Sequence, residues 1–558
     1  MRWGAIAEAR TVLERERGTI TRDWGGVTPI VLAYPNTYFV GMSSLGFQTM
    51  YRLLNEAPGL VCERMFHSFA RAKRKPAEPL ISLESQRRLD EFAALAFSIS
   101  FETDYLNMIQ MLRRSGVPPL AGERDESYPL LLAGGPAVSA NPEPLSPVLD
   151  AIVIGEAEEV VASLAEVLAQ GLGESKAQLL NALGGIPGVY VPRLHDYAAQ
   201  TVQRRWTGAL DEWPTHSVVL TQDTEFGDMY LLEIARGCRS GCRFCLAGFL
   251  YRPMRERSID CLVAQAEEGL CLTDRIGLVA SSVSQYSHID ELAGRLRGMG
   301  ARLSVSSLRA DSLSDPLMRA LADSGARTLT IAPEAGSERL RRVINKNLTR
   351  EELLHAADIG RGFGFAHMKL YFMLGLPTET EEDSVAIATL VTAMAERFKR
   401  EVSVKLTPFV PKAHTPFECE AMAEAKVLKA RIAMLRKRLR PAGINVQSES
   451  VEWARVQGVL ARGDQRVGRA ISSLEQTNLA SWKQCMAKAE LRQRDYLGSW
   501  SPGRELPWRV VDTGIDSDFL ERERTRASNE EGTPFCPVNY ASCTRCGVCS
   551  PVDVPEPD

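Results

Sequence analysis

Apolar residues recur along this chain in two rhythms that alternate with each other. Short unbroken runs, "PIVLAYP" (29–35), "ALAFSIS" (94–100), "YPLLLAGGP" (128–136) and "LDAIVIGEAEE" (149–159), read as strands buried on both faces. Between them, "LGFQTMYRLLNEA" and "DYLNMIQMLRRSG" carry the three- and four-residue spacing of amphipathic helices. Residues 1–27 predict a helix that ends in a turn at "WGG". Residues 28–170 predict an α/β unit, a doubly wound, Rossmann-like domain around a parallel sheet. A second alternation covers 225–412, with strands "YLLEIA", "RIGLVAS", "ARLSVSSL", "TLTIAPE", "HMKLYFMLGLP" and "EVSVKLTPFVP". Six parallel strands with intervening helices predict a partial (β/α)6 barrel. Residues 171–224 read as a connecting segment and 413–530 as a mainly helical C-terminal region. Residues 531–558 read as a cysteine-rich metal-binding segment with a disordered tail, "SPVDVPEPD".

Composition adds limits. With 45% hydrophobic and 24% charged residues, the 558-residue chain has the balance of a soluble globular protein. No apolar run reaches the roughly 20 residues of a membrane span, and the N-terminus lacks the apolar core of a signal peptide. A cytoplasmic location without membrane contact is therefore expected, where clustered cysteines bind metal or do redox chemistry. A net charge of −4 gives no global attraction to nucleic acid. Two basic stretches, 63–76 and 426–441, read as solvated helix faces; Val427, Leu428, Ile432, Leu435 and Leu439 form the apolar side of the second.

The chemistry concentrates in "IARGCRSGCRFCLAGFLYRP" (234–253), which places Cys238, Cys242 and Cys245 within eight positions, directly after a predicted strand. A structural zinc site wants four protein ligands, often as two C-x2-C pairs, and this loop offers three. On a [4Fe–4S] cube three thiolates leave one iron open. S-adenosylmethionine can chelate such an iron, and one electron then splits a carbon–sulfur bond to give a 5′-deoxyadenosyl radical. A zinc loop or plain surface thiols are the competing readings.

The loop resembles the signature of the radical S-adenosylmethionine enzymes, C-x3-C-x2-C after the first strand of a partial barrel, with an aromatic residue, here Phe244, before the third cysteine. The resemblance implies that Cys238, Cys242 and Cys245 hold a [4Fe–4S] cluster with S-adenosylmethionine at its open iron. It also points to cofactor contacts at later strand ends. "GLVASSVSQYSH" lacks the family's Gly-Gly-Glu glutamate, which leaves Ser281, Ser282 and Ser284 or backbone carbonyls for the amino group. Ser306 and Arg309 follow the third strand, and an arginine suits a carboxylate. Glu334 and Ser337 in "TIAPEAGSERL" match the ribose and carboxylate region. "LGLPTET" (374–380) resembles a barrel-shaping turn, and "VKLTPFVP" offers backbone groups to adenine.

"LAGGP" and "AIVIGEAEE" ahead of such a barrel look like the cobalamin-binding-type domain of one radical subclass, with Gly134, Gly135 and Gly155 bordering cobalamin. The lower-ligand pattern Asp-x-His-x-x-Gly is replaced by "YPNTYFVGMSSLG", so cobalamin here would lack a histidine ligand. The segments resemble a bacterial branch whose reaction the resemblance does not name. Near the end, Cys536, Cys543, Cys546 and Cys549 in "CPVNYASCTRCGVC" suit a second [4Fe–4S] cluster or a closed zinc site. Cys62, Cys261, Cys271, Cys419 and Cys485 are scattered and read as ordinary thiols.

The expected activity is hydrogen abstraction or cobalamin-dependent methylation by an enzyme fed by a flavodoxin- or ferredoxin-type electron donor. Its substrate would be a small molecule or, in an RNA-modifying version, RNA. The non-enzymatic alternative is an iron–sulfur electron-transfer or sensing protein.

Overall fold

The computed structural model describes residues 2–69, 80–171, 173–195, 199–501, 503–537 and 543–549. Its first sheet contains β1 (Thr28–Thr37), β2 (Leu60–Ser68), β3 (Ala94–Ser98), β4 (Leu130–Gly134), β5 (Ala151–Val153) and β6 (Val189–Tyr190), in the order β2-β1-β3-β4-β5-β6. Every neighbouring pair is parallel except β5 with β6. Side chains of β1 alternate between two cores, as a sheet covered on both faces requires. Ile30 and Leu32 join Phe47, Leu54 and Leu164, whereas Val31 and Ala33 join Leu106 and Ile109. The order reverses between β1 and β3, which opens a crevice at the strands' carboxyl ends.

Two expectations need correction. The basic stretch at 63–76 is not a solvated helix face: its first part lies in β2, and Arg64 is fully buried. Its Nη2 meets Glu16 Oε2 at 2.6 Å and its Nε meets Glu84 Oε1 at 2.6 Å, with the Tyr51 ring centroid 4.6 Å away. Two flanking carboxylates make burial of that charge tolerable. Residues 70–76 of the stretch lie outside the described residues, as does the tail from 550. The second correction concerns helix Ala425–Leu439, which buries Leu428, Ile432, Leu435 and Leu439 but leaves Val427 41% exposed. Within 171–224, the segment "GGIPGVYVPRL" supplies the short strand β6, which pairs with β5 at the edge of the first sheet.

The second unit is the expected partial barrel. Strands Tyr230–Glu233, Arg275–Val279 and Arg302–Val305 form one parallel sheet; Thr328–Glu334, His367–Leu374, Glu401–Pro408 and Asn445–Ser448 form another. A parallel bridge from Leu308 to Ile331 joins the two. The barrel therefore has a seventh strand, Asn445–Ser448, inside the region expected to be helical. Its sequence, "NVQS", is short and polar because only one edge is paired. Helix Gln465–Ser472 then returns to the first domain, where Gly468 leaves no room for a Cβ beside the Pro144 carbonyl, 2.2 Å away. Among the described residues no helix is long and apolar enough to cross a membrane.

Replacing Arg64 with methionine strands two buried carboxylates, and we expect a loss of about 3–5 kcal/mol of unfolding free energy. Urea denaturation measures it, and a loss below about 1 kcal/mol would mean that water already reaches the charges.

Candidate active site

The first barrel strand leads into a two-stranded antiparallel ribbon, Ala235–Arg236 against Arg255–Glu256, and the cysteine loop fills the space between them. Gly237 sits at φ +86°, and a Cβ there would meet the Tyr251 carbonyl at 2.4 Å. Only glycine fits. The Cys245 N–H donates to the Cys242 carbonyl at 2.9 Å, and helix Leu246–Leu250 starts immediately after. Cys242 is buried; Cys238 and Cys245 are half-exposed. Burial pushes the Cys242 thiol up, and burial with the neighbouring thiols pushes Cys245 up to about 12. A bare thiolate is thus costly in this loop, and a bound cluster would supply the compensating charge.

The loop is clamped from outside. Arg243, between Cys242 and Phe244, is fully buried, with Nε 3.1 Å from Glu523 and Nη1 3.0 and 2.9 Å from the carbonyls of Arg342 and Val343. Its Nη2 donates to the Glu531 carbonyl at 2.8 Å. Asn345, at φ +54°, donates from Nδ2 to the Ser240 and Gly241 carbonyls at 3.2 Å each and accepts the Thr533 N–H at 2.7 Å. Sequence reasoning missed Asn345 and Arg243; the only trace is "INKN", whose two asparagines both adopt positive φ.

The other expected cofactor residues fall around the same mouth with different duties. Phe244 packs half-buried against Ala335, Leu340 and Phe409. Arg309 pairs with Asp311 at 3.0 and 2.7 Å and also reaches Ser240 Oγ at 3.1 Å and the Lys346 carbonyl. Its charge is already answered. Lys346 Nζ lies 3.7 Å from Glu334, which sits at φ +66°; burial pushes the Glu334 carboxyl up while Lys346 pulls it back. Ser337 caps helix Glu338–Val343, accepting from Leu340 N–H at 3.1 Å and donating to Asp383. Ser281 and Ser306 are exposed; Ser282 Oγ is buried without a hydrogen-bond partner. Ser284 Oγ meets Ser312 Oγ at 2.8 Å. Of the two histidines at strand ends, His288 is exposed, whereas His414 is buried with Nε2 3.0 Å from the Ala140 carbonyl.

Between the first sheet and the barrel mouth lies a cavity of about 440 Å³. Aliphatic side chains of β1, β3 and the helices Leu45–Glu56 and Glu158–Gln170, such as Leu32, Ala96, Leu54 and Leu164, line its depth. Gly134, Gly135, Gly155, Gly237 and Ser281 line it as well. Two of the glycines have a packing reason too, since a Cβ would strike the Ile99 carbonyl at Gly135 (2.6 Å) and the Arg205 carbonyl at Gly155 (2.2 Å). Glu156 joins the domains, paired with Arg255 at 2.7 Å and Arg236 at 2.9 Å. Burial works to raise this carboxyl, but the two guanidinium groups overcome it and hold Glu156 below the usual range.

The C-terminal cysteines dock on this loop. The Cys536 N–H donates to the Arg239 carbonyl at 2.8 Å, and the Cys546 carbonyl accepts from Asp516 N–H at 2.8 Å. Buried Cys546 packs with Phe249 of the helix that follows Cys245 and with Phe519. Burial pushes the Cys536 thiol up, with Cys546 and Cys543 adding to it, as Cys242 and Cys238 add to the rise at Cys245. Among the described residues no three His, Cys, Asp or Glu side chains converge to hold a single metal ion. One zinc ion draws sulfur to about 2.3 Å from a common centre, whereas a cube spreads its ligands over separate irons.

A half barrel whose first loop gathers three thiols beside a domain seam is the scaffold of an S-adenosylmethionine-cleaving iron–sulfur enzyme. Residues 46–192 match the family model described as Radical SAM proteins, N-terminal, and residues 232–391 match that of the Radical SAM superfamily. Uncharacterized protein MJ0966 of Methanocaldococcus jannaschii is 33% identical over 456 residues, covering 81% of this chain and 93% of that one. The chain belongs to the radical S-adenosylmethionine superfamily. Its cofactors are accordingly a [4Fe–4S] cluster and S-adenosylmethionine, which it cleaves reductively, so it requires a reductant and a substrate. As an enzyme, it is not the mere electron-transfer or sensing protein of the alternative reading. Uncharacterized methyltransferase PH0819 of Pyrococcus horikoshii is 24% identical over 269 residues, 45% of this chain and 55% of that one. The solved cobalamin-dependent S-adenosylmethionine radical enzyme OxsB aligns with a TM-score of 0.46 and 16% identity, over 65% of this chain and 52% of that one. The chain thus spans about half the length of these last two proteins.

Replacing Arg243 with methionine leaves Glu523 with Arg526 and Thr533 but takes the donors from the Arg342, Val343 and Glu531 carbonyls, a change worth about 1–3 kcal/mol. We expect amide exchange across residues 523–537 to accelerate at least tenfold by mass spectrometry. Unchanged protection there would show that the guanidinium does not hold the segment.

Proposed function

We propose that Cys238, Cys242 and Cys245 ligate the [4Fe–4S] cluster, that S-adenosylmethionine docks at the iron they leave open, and that the cavity beside the loop accepts a corrinoid for methyl transfer to a substrate carbon. The observation that carries the reading is a loop with three thiols, one of them fully enclosed, held rigid by Arg243 and Asn345. The Lys346–Glu334 pair stands ready to meet the amino and carboxylate groups of S-adenosylmethionine, and Ser282 Oγ, without a hydrogen-bond partner among the described residues, offers a further polar contact. Phe244 closes the barrel side against water.

When bound, the cluster supplies the electron that splits the sulfonium and the corrinoid supplies a methyl group. The cavity fits the second role: it is mostly aliphatic, and Gly237, one residue before Cys238, is part of its lining. The name of the relative PH0819, a methyltransferase, supports methyl transfer over other outcomes. Cys536, Cys543, Cys546 and Cys549 are read as an auxiliary cluster, seated against the first loop through Phe249 and Arg239, that passes electrons inward from a flavodoxin- or ferredoxin-type donor in the cytoplasm.

Anaerobically reconstituted protein given dithionite and S-adenosylmethionine should release 5′-deoxyadenosine, and Cys242→Ala should lower that release by more than about a hundredfold. Iron should approach eight atoms per chain, as two cubes require. Failure to release either 5′-deoxyadenosine or S-adenosylhomocysteine with iron in place would defeat the proposal. Added cobalamin should co-elute with the protein and carry its visible absorbance; elution of the corrinoid in the free fraction would remove it from the scheme.

A further inference from the structure

The inner wall of the barrel's later strands is polar, although closed (β/α) barrels fill that space with branched apolar side chains. In strand His367–Leu374 the burial alternates strictly. Met368, Leu370, Phe372 and Leu374 join the core that contains Leu353, Val391 and Met394 of the outer helices, while His367, Lys369, Tyr371 and Met373 are half-exposed on the other face. Strand Glu401–Pro408 repeats the pattern, with Val402, Val404 and Leu406 buried and Ser403, Lys405 and Thr407 half-exposed. The register aligns these faces into rows: Thr330, Lys369 and Ser403 in one, Tyr371, Lys405 and Gln447 in the next. On the first two strands, by contrast, Leu231 and Val279 form an apolar cluster with Leu45 of the first domain. One wall is covered and dry. The other is wet and charged.

The charges on that wall do not cancel. Lys405 Nζ has Glu449 at 3.5 Å, but among the described residues no carboxylate pairs with Lys369, whose ammonium lies 5.1 Å from the Tyr371 ring centroid. His367 Nε2 is engaged with Ser403 Oγ at 2.8 Å. Two ammonium groups on one inner wall with a single carboxylate paired to them leave a net positive charge that attracts an anion.

We propose that Lys369, Tyr371 and Lys405 bind the acidic group, a carboxylate or a phosphate, of a small substrate that lies along the barrel axis. The inference rests on the reading of the barrel as the site of radical chemistry. At about 3.3 Å per residue, the Cα of Lys405 stands roughly 10 Å below the carboxyl end of its strand and that of Lys369 roughly 17 Å below the end of its own. The acidic group would therefore be anchored deep in the barrel while the reacting carbon reaches the cofactor at the mouth. A recessed wall of this kind suits a metabolite-sized acid better than a polynucleotide.

The test is competitive trace acetylation of the reconstituted full chain, read per lysine by mass spectrometry, with orthophosphate, succinate or a short oligoribonucleotide as probes. Orthophosphate or succinate should slow acetylation of Lys369 and Lys405 at least threefold while exposed Lys429 is unaffected, and the responding probe identifies the acid. In equilibrium dialysis, Lys369→Met with Lys405→Met should weaken that probe at least tenfold, and arginine at both positions should restore most of it. Should the methionine variant not fold, protection in the parent protein decides alone. Equal acetylation with and without both small probes, or unchanged affinity in the folded variant, overturns the inference; protection by the oligoribonucleotide alone overturns it in favour of a nucleic acid. Absence of 5′-deoxyadenosine from the parent would instead defeat the radical reading and leave the acetylation result to stand on its own.

Discussion

The buried guanidinium of Arg243 is the constraint on which the cysteine loop depends. The loop has almost no regular structure of its own: a short helix begins only after Cys245. Its shape must come from outside, and Arg243 collects that support by donating to the last two carbonyls of helix Glu338–Val343, to Glu523 and to the Glu531 carbonyl. A planar group with five donors can serve so many acceptors at fixed angles; lysine cannot. Since Arg243 adjoins Cys242, fixing its backbone fixes the enclosed thiol. The same contacts bring in the C-terminal segment through Glu523 and Glu531, so Arg243 ties the first cysteine set to the segment that carries the second.

A second set of charges aligns the two domains. Glu156 follows β5, and Glu233 ends the first barrel strand; Arg236 bridges both, while Arg255 answers Glu156 and Arg257 answers Glu233. Burial opposes ionisation of both carboxyls, yet the arginines keep each below the usual range. Pairs of this kind contribute little net stability but penalise any other docking angle, because a shifted domain would leave charges buried and unpaired. The alignment matters chemically. It brings Gly237, where the thiols begin, into the lining of the apolar cavity beside the first sheet.

The layout of the fold could be read from the sequence because parallel strands covered on both faces leave unbroken apolar runs, as in "IVLA" and "LLLA". What escaped was whatever depends on partners far along the chain. Arg64 looked like part of a basic surface because Glu16 and Glu84, which make its burial possible, lie 48 and 20 residues away. The strand "NVQS" carries no apolar signal, since it is an edge. The C-x3-C-x2-C spacing was legible because its three cysteines are local; the clamp formed by Arg243, Asn345 and Thr533 was not. Ser337 illustrates the opposite error of emphasis: its place in "AGSERL" is also that of a helix cap, the duty the structure gives it.

The alternating polar positions of "HMKLYFML" and "EVSVKLTP" were visible as well, but a period of two says only that the faces differ, not what each one meets. The outer helices and the first domain settle that question. Helices take the apolar face of the later strands, and Leu45 of the first domain covers the apolar face of the earlier ones, leaving the row of Tyr371 and Lys405 half-exposed among the described residues. The barrel is thus built with opposite chemistry at its two ends. An aliphatic cavity adjoins the thiol loop on one side and suits a large, partly apolar cofactor; a cationic wall at the other end of the curved sheet suits a small acid. A radical formed at the loop would be generated between them, and the polarity of each side would keep cofactor and substrate from exchanging places.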